Sequence, residues 1–188
     1  MTPEEFEERW LVLGTESKYA LHGEKIEAYR PPNKAERAIM GEKGIGRLAI
    51  ALLGRQVLIL TRAERNGDVH DLLMCFIHWG LFEISGINLE DIEIPTKLIH
   101  EGRLPTADDV QDLLRSNEKC IRELSKNNKS ASFEKILEDI SDFQLDPEDI
   151  DEFLKGLSLK GGQCGTQFYV APAHESMADE IEREHREA

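Results

Sequence analysis

Three glycines, Gly41, Gly44 and Gly46, precede the apolar run Leu48-Ala49-Ile50-Ala51-Leu52-Leu53, and two cations, Lys43 and Arg47, stand among them. The run reads as a buried helix ending at Gly54, which puts the glycines at its N-terminus. Such a turn can bind phosphate. Without Cβ atoms the backbone approaches oxygen closely, and the unpaired amides and dipole of the helix favour negative charge. Lys34 and Arg37 add to the local positive charge. Glycine-rich turns also precede helices in proteins that bind no nucleotide, and for this turn taken alone that plainer use is the commoner one. Two familiar phosphate loops are excluded: no G-x-x-x-x-G-K-[ST] occurs, and no G-x-G-x-x-G follows a strand.

Other residues of chemical interest are less well spaced. Along one strand, alternation puts His70 and His78 on one face and Cys75 on the other, with no fourth ligand nearby, so no zinc site is expected. Glu90, Asp91 and Glu93, or the acids from Asp139 to Glu152, could pair for acid–base catalysis, but nothing places two of them in an apolar pocket. They read as solvated faces. Phe76, Trp79 and Phe82 read as core rather than as a stacking platform. Cys75, Cys120 and Cys164 are odd in number and far apart, which argues against a disulfide framework and fits a reducing compartment.

The elements that must carry these residues follow from pattern. Thr2 can cap a short amphipathic helix from Pro3 to Leu11, with Phe6 and Trp10 at i, i+4. Residues 19–39 are polar and contain Pro31-Pro32, which forbids a continuous helix and predicts a mobile segment. Gln56 to Arg62 reads as a strand, Asn66-Gly67 as a tight hairpin turn and Val69 to Trp79 as the returning strand. Leu89 to Pro95 alternates apolar and acidic residues as a half-buried strand should. From Thr106 to about Leu157 the pattern is helical, with two to three helices. Thr106 and Asp109 cap the first, whose face carries Val110, Leu113 and Leu114. Phe133, Ile136, Leu137 and Ile140 mark a second, and Pro147 starts another toward Ile150, Phe153 and Leu154. Gly165 to Val170 is a last short strand, and Asp179 to Glu187 an acidic, solvated tail.

At 188 residues, 40% apolar and 32% charged, the chain suits one soluble folding unit with a helical insertion. No apolar run approaches the ~20 residues of a membrane span, and the N-terminus lacks the pattern of a secretory signal, so a cytoplasmic setting is expected. A net charge of −14 disfavours direct nucleic-acid binding over most of the surface.

Taken together, Gly14-Thr15-Glu16-Ser17-Lys18 after Trp10, then Gly41 to Arg47, then Gly165-Thr166 before a late strand resemble the GHKL (Bergerat-fold) ATPase superfamily of gyrase B subunits, ninety-kilodalton heat-shock chaperones, MutL-type proteins and sensor kinases. The order of helix, hairpin, strand and Gly-Thr strand extends the resemblance over nearly the whole chain. It implies an α+β two-layer sandwich, a mixed sheet covered by helices on one face. Within it, residues 1–105 hold the lid loop, glycine box and central strands, 106–160 a helical insertion, and 161–188 the final Gly-Thr strand and acidic tail.

The resemblance implies ATP with magnesium as ligand. Gly14, Thr15 and Lys18 would then begin the lid, and Gly41, Gly44, Ile45, Gly46 and Arg47 would contact phosphates through the backbone. Lys43 or Lys18 would neutralise phosphate charge. Gly165 and Thr166 would stand at the adenine end, where the family's threonine helps to hold the adenine-reading aspartate. The family's catalytic glutamate, its magnesium-binding asparagine and its Asp-x-Gly-x-Gly-Met strand have no counterpart here, and Met1 falls where that last methionine would stand. The expectation is of a domain begun partway, lacking its first helix and strand. A second function class is a non-catalytic, degenerate domain that binds a protein partner, or a second copy of itself, through the helical insertion or the acidic tail.

Overall fold

The computed structural model describes residues 1–6, 45–154, 156–175 and 177, and of residues 45–48 the backbone alone. The chain divides into two compact units, one from Pro3 to Ile50 and one made of Met1–Thr2 and Ala51–Ala188. In the first, α1 is Pro3–Glu5 and Phe6 after it is fully buried, while the rest of the helix expected as far as Leu11 lies outside the described residues. The lid residues and the acidic tail lie outside the described residues.

The apolar run after the glycines is a 3-10 helix, Ile45–Leu52, and its end is not buried as expected: Leu52 is 75% exposed. In a 3-10 helix residues i and i+3 eclipse one another, so Ala49 and Leu52 share a side, and both are exposed. Gly54 then allows a close crossing, since a Cβ there would lie 2.3 Å from the Pro172 carbonyl oxygen.

The larger unit is built on a sheet of β1 (Gln56–Arg62), β4 (Leu72–His78), β5 (Thr96–Ile99) and β6 (Gly165–Val170), in the order β5-β4-β1-β6. Every pairing in it is antiparallel, so among the described residues the expected mixed sheet is an antiparallel one. The chain leaves β1 through a small ribbon of β2 (Glu64–Arg65) and β3 (Asp68–Val69). Positive φ at Asn66 (56°) and Gly67 (90°) makes the hairpin turn predicted for that pair. The returning strand is interrupted, because the His70 amide bonds back to the Ala63 carbonyl and β4 proper starts at Leu72.

The expected strand from Leu89 to Pro95 is a correction. Leu89–Asp91 is a 3-10 turn, and β5 starts only after Pro95. Proline has no N–H for a ladder, and the amides of Asp91 and Ile92 bond locally to the Asn88 and Leu89 carbonyls. The alternation survives as burial alone: Ile92 and Ile94 are half-buried, Asp91 and Glu93 exposed.

Between β5 and β6 run α2 (Ala107–Asn127), α3 (Ser132–Ser141) and α4 (Pro147–Asp151). Thr106 and Asp109 form the predicted capping box at the start of α2. The last helix is shorter than predicted, and Phe153 is 79% exposed instead of packed. One sheet face, carrying Leu58, Leu60, Leu72, Met74 and Phe76, forms a core with Val110, Leu113 and Leu114 of α2 and with Phe133, Ile136 and Ile140 of α3. The opposite face, with Val57, Ile59, Thr61, Leu73, Cys75 and Ile77, is also buried. Burial on both faces is why β1 and β4 read as continuous apolar runs.

Candidate functional site

Gly165 and Thr166 open β6, the strand that borders β1 at one edge of the sheet. Register sets Thr166 directly opposite Thr61 and Gly165 opposite Arg62. The two threonine hydroxyls are 2.8 Å apart, and Thr61 Oγ1 lies 3.3 Å from the Gly165 carbonyl oxygen. The Met1 nitrogen donates to Thr61 Oγ1 at 2.8 Å. Three polar groups thus converge on the sheet face opposite α2 and α3, with Thr61 fully buried and Thr166 at the exposed rim. Hydroxyls both donate and accept, and since Thr61 is enclosed by its internal partners, the exposed Thr166 hydroxyl is the member of the cluster that can meet another polar group.

Ile45, Gly46 and Arg47 begin the 3-10 helix, whose first amides have no partner within the helix. They belong to the smaller unit, whereas Gly165 and Thr166 belong to the larger. Gly14, Thr15, Lys18, Gly41, Lys43 and Gly44 lie outside the described residues.

Two residues beside the Gly-Thr strand escaped sequence reading. Thr61 and Arg62 look like the polar end of an apolar strand. Yet parity with Leu58 and Leu60 turns Arg62 toward the core face, and it is only 1% exposed. Its guanidinium donates to the Leu159 and Gly161 carbonyls, both at 2.5 Å, and to those of Arg103 at 3.1 Å and Gly102 at 3.4 Å. Burial lowers its pKa, opposed by the fields of Cys164 and Asp71, and a guanidinium so held stays charged.

The remaining chemical candidates are accounted for structurally. His78 is buried, accepts the Gly80 N–H at Nδ1 (3.1 Å) and faces Asp139 Oδ2 from Nε2 (3.2 Å). Cys75 is on the opposite face, and burial pushes its thiol well up. Cys120 is pushed up by burial and Glu93, and Cys164 by burial and Glu64, so none of the three thiols is primed as a nucleophile. Among the described residues no group of three His, Cys, Asp or Glu side chains could hold a metal ion. Glu90, Asp91 and Glu93 line a cleft of about 510 Å³ against the end of α2, together with Glu123. Four carboxylates make that cleft repellent to phosphate.

Among the described residues no helix is long and apolar enough to cross a membrane. Comparison with protein families, with curated proteins and with solved structures finds no match to this chain.

Proposed function

We propose that this chain is the lid-side part of a GHKL-type ATP-binding domain in a cytoplasmic protein, with magnesium-ATP as ligand. The observation that carries the reading is the junction of β1 and β6. There Gly165-Thr166, read from sequence as the adenine-end box, stands directly against Thr61 with the two hydroxyls 2.8 Å apart. The position suits a threonine that orients an adenine-reading group. The phosphate end is assigned to the backbone of Gly44, Ile45, Gly46 and Arg47, with Gly41 for the turn, Lys43 or Lys18 for charge, and Gly14 and Thr15 beginning the lid.

The test is thermal unfolding with and without magnesium-ATP. It is run on this chain and on a longer polypeptide that adds the glutamate and asparagine helix and the Asp-x-Gly-x-Gly strand called for by the resemblance. A ligand at 100 times its Kd adds about 2.7 kcal/mol, which in a chain of this size is a shift of roughly 5–10 °C. The expected result is such a shift in at least one polypeptide, abolished by Gly44→Val with Gly46→Val. No shift in either polypeptide would overturn the reading.

One observation favours the second reading, a protein-binding module without catalysis: Phe153 and Leu157, after α4, are 79% and 74% exposed. Large apolar side chains so placed suit a partner surface.

A further inference from the structure

We propose that Arg62 is a positioning residue, which gathers the two ends of the helical segment between β5 and β6 and so fixes the entry of β6 where Gly165 and Thr166 stand. The helical segment departs at Gly102-Arg103 and returns through Leu159 and Gly161, and Arg62 donates to the carbonyl oxygens of these four named residues. These partners come from both strands of a neck. No carboxylate is among them, so the side chain is held by shape and by carbonyl dipoles rather than by a single ion pair.

The neck itself is narrow. The Gly161 amide donates to the Gly102 carbonyl at 2.6 Å, and a Cβ on Gly102, whose φ is +68°, would lie 3.0 Å from the Gly161 carbonyl oxygen. Two glycines permit the approach, and the buried guanidinium fastens it. An arginine is required because its planar fork carries five donors spread over three nitrogens. Nη1 alone meets Leu159, Gly161 and, at longer range, Gly102, while Nη2 holds Arg103; a lysine at the same depth has three donors on one nitrogen and no second nitrogen for the Arg103 carbonyl.

The consequence for the Gly-Thr strand follows from register. Arg62 pairs through the backbone with Gly165, and its neighbour Thr61 meets Thr166 on the other face. Leu159 and Gly161 lead directly into β6. Loss of the fastener therefore frees the first residues of β6 while β1 keeps its pairing to β4. The link to ligand binding rests on the nucleotide reading; the structural claim does not.

The test uses the full chain as wild type, Arg62→Lys, Arg62→Met and, as an independent disturbance of the neck, Gly102→Ala. Amide hydrogen exchange is followed in residues 161–167, in β4 and in α2, well below the unfolding midpoint. In Arg62→Lys and Gly102→Ala, exchange in 161–167 should speed at least tenfold while β4 keeps its wild-type protection. Where the wild-type polypeptide binds magnesium-ATP, Arg62→Lys should weaken binding at least tenfold. Unchanged exchange in 161–167, or a rise shared equally with β4, would overturn the proposal and leave Arg62 as ordinary core filling. So would wild-type affinity in a variant with a loosened β6. Should Arg62→Met fail to fold, the lysine and glycine variants decide. Absence of magnesium-ATP binding in both this chain and the longer polypeptide refutes the nucleotide reading and leaves the structural claim standing, because the exchange pattern is read without ligand.

Discussion

His78 is a base held neutral by its surroundings. With Nδ1 accepting the Gly80 N–H, the ring proton must sit on Nε2, facing Asp139. Burial lowers the His78 pKa; the hydrogen bond and charge of Asp139 oppose this without reversing it. Asp139 itself lies low despite burial, because Lys135 (2.8 Å) and His78 outweigh desolvation. The sign is then fixed by linkage. Below the ordinary imidazole value of 6.5 the unfolded chain takes up a proton that the folded ring refuses, so stability is full above that value and declines as pH falls toward the lowered folded pKa. Denaturant unfolding between about pH 7 and 5 should show this slope. His78→Asn, which keeps an acceptor for Gly80 but does not titrate, should be less stable at pH 7 and flatter across the window. An unchanged slope in the variant would assign the decline to other groups. Strand parity already separated His78 from Cys75 in the sequence, but Asp139 is 61 residues away and no local pattern announces the pair.

Elements were legible where short-range chemistry decides them. The Thr106–Asp109 box, the Asn66-Gly67 turn and β1 all appear where predicted, because cap, turn and apolar run each act over a few residues. What escaped was set by distant groups or by competition between nearby bonds. Leu89 to Pro95 carries a strand's alternation, yet local turn bonds and Pro95 leave no ladder for it to join. Thr61 and Arg62 belong to a site only because β6 and the neck arrive from about 100 residues on (|i−j| of 105 and 97). The cap gives a clean test. Thr106 Oγ1 accepts the Asp109 amide at 3.3 Å, and Asp109 accepts from the Thr106 amide at 3.1 Å while pairing with Arg103 and Lys97. Thr106→Ala should cost about 0.5–2 kcal/mol in denaturant unfolding. A loss below that range would mean that Arg103 and Lys97 alone hold Asp109 and the first turn of α2. Those cations depress the Asp109 carboxyl well below its usual range, with the Arg103 hydrogen bond foremost. Its stabilisation is therefore full above the ordinary carboxylate value and is lost progressively as pH falls below that value toward the lowered folded one.

Across the whole molecule two electrostatic effects oppose each other. Local pairs such as Lys97–Asp112, Lys126–Glu123 and Lys135–Asp139 favour the fold, but they are surface pairs, individually weak and further weakened by salt. The net charge of −14 acts the other way, since compaction crowds like charges and salt relieves the crowding. Range decides between them. At about 0.01 M salt the Debye length is about 30 Å, so repulsion acts across the entire domain, whereas at about 0.15 M it is about 8 Å and only near neighbours still interact. Pairs in contact, with N···O distances of 2.6–3.0 Å, lie well inside either length. Salt should therefore remove more repulsion than attraction, and the unfolding temperature should rise between those two concentrations. A fall would mean that the paired carboxylates, rather than the excess charge, govern the electrostatics of the fold. The same screening bears on the ligand proposed above: an anion approaching so acidic a molecule is repelled at long range, so binding must come from cations and amides in direct contact. Magnesium-ATP binding that strengthens as salt rises through this range would place repulsion in control of the encounter, and binding that weakens would place Lys43, Arg47 or Lys18 in control of the bound state.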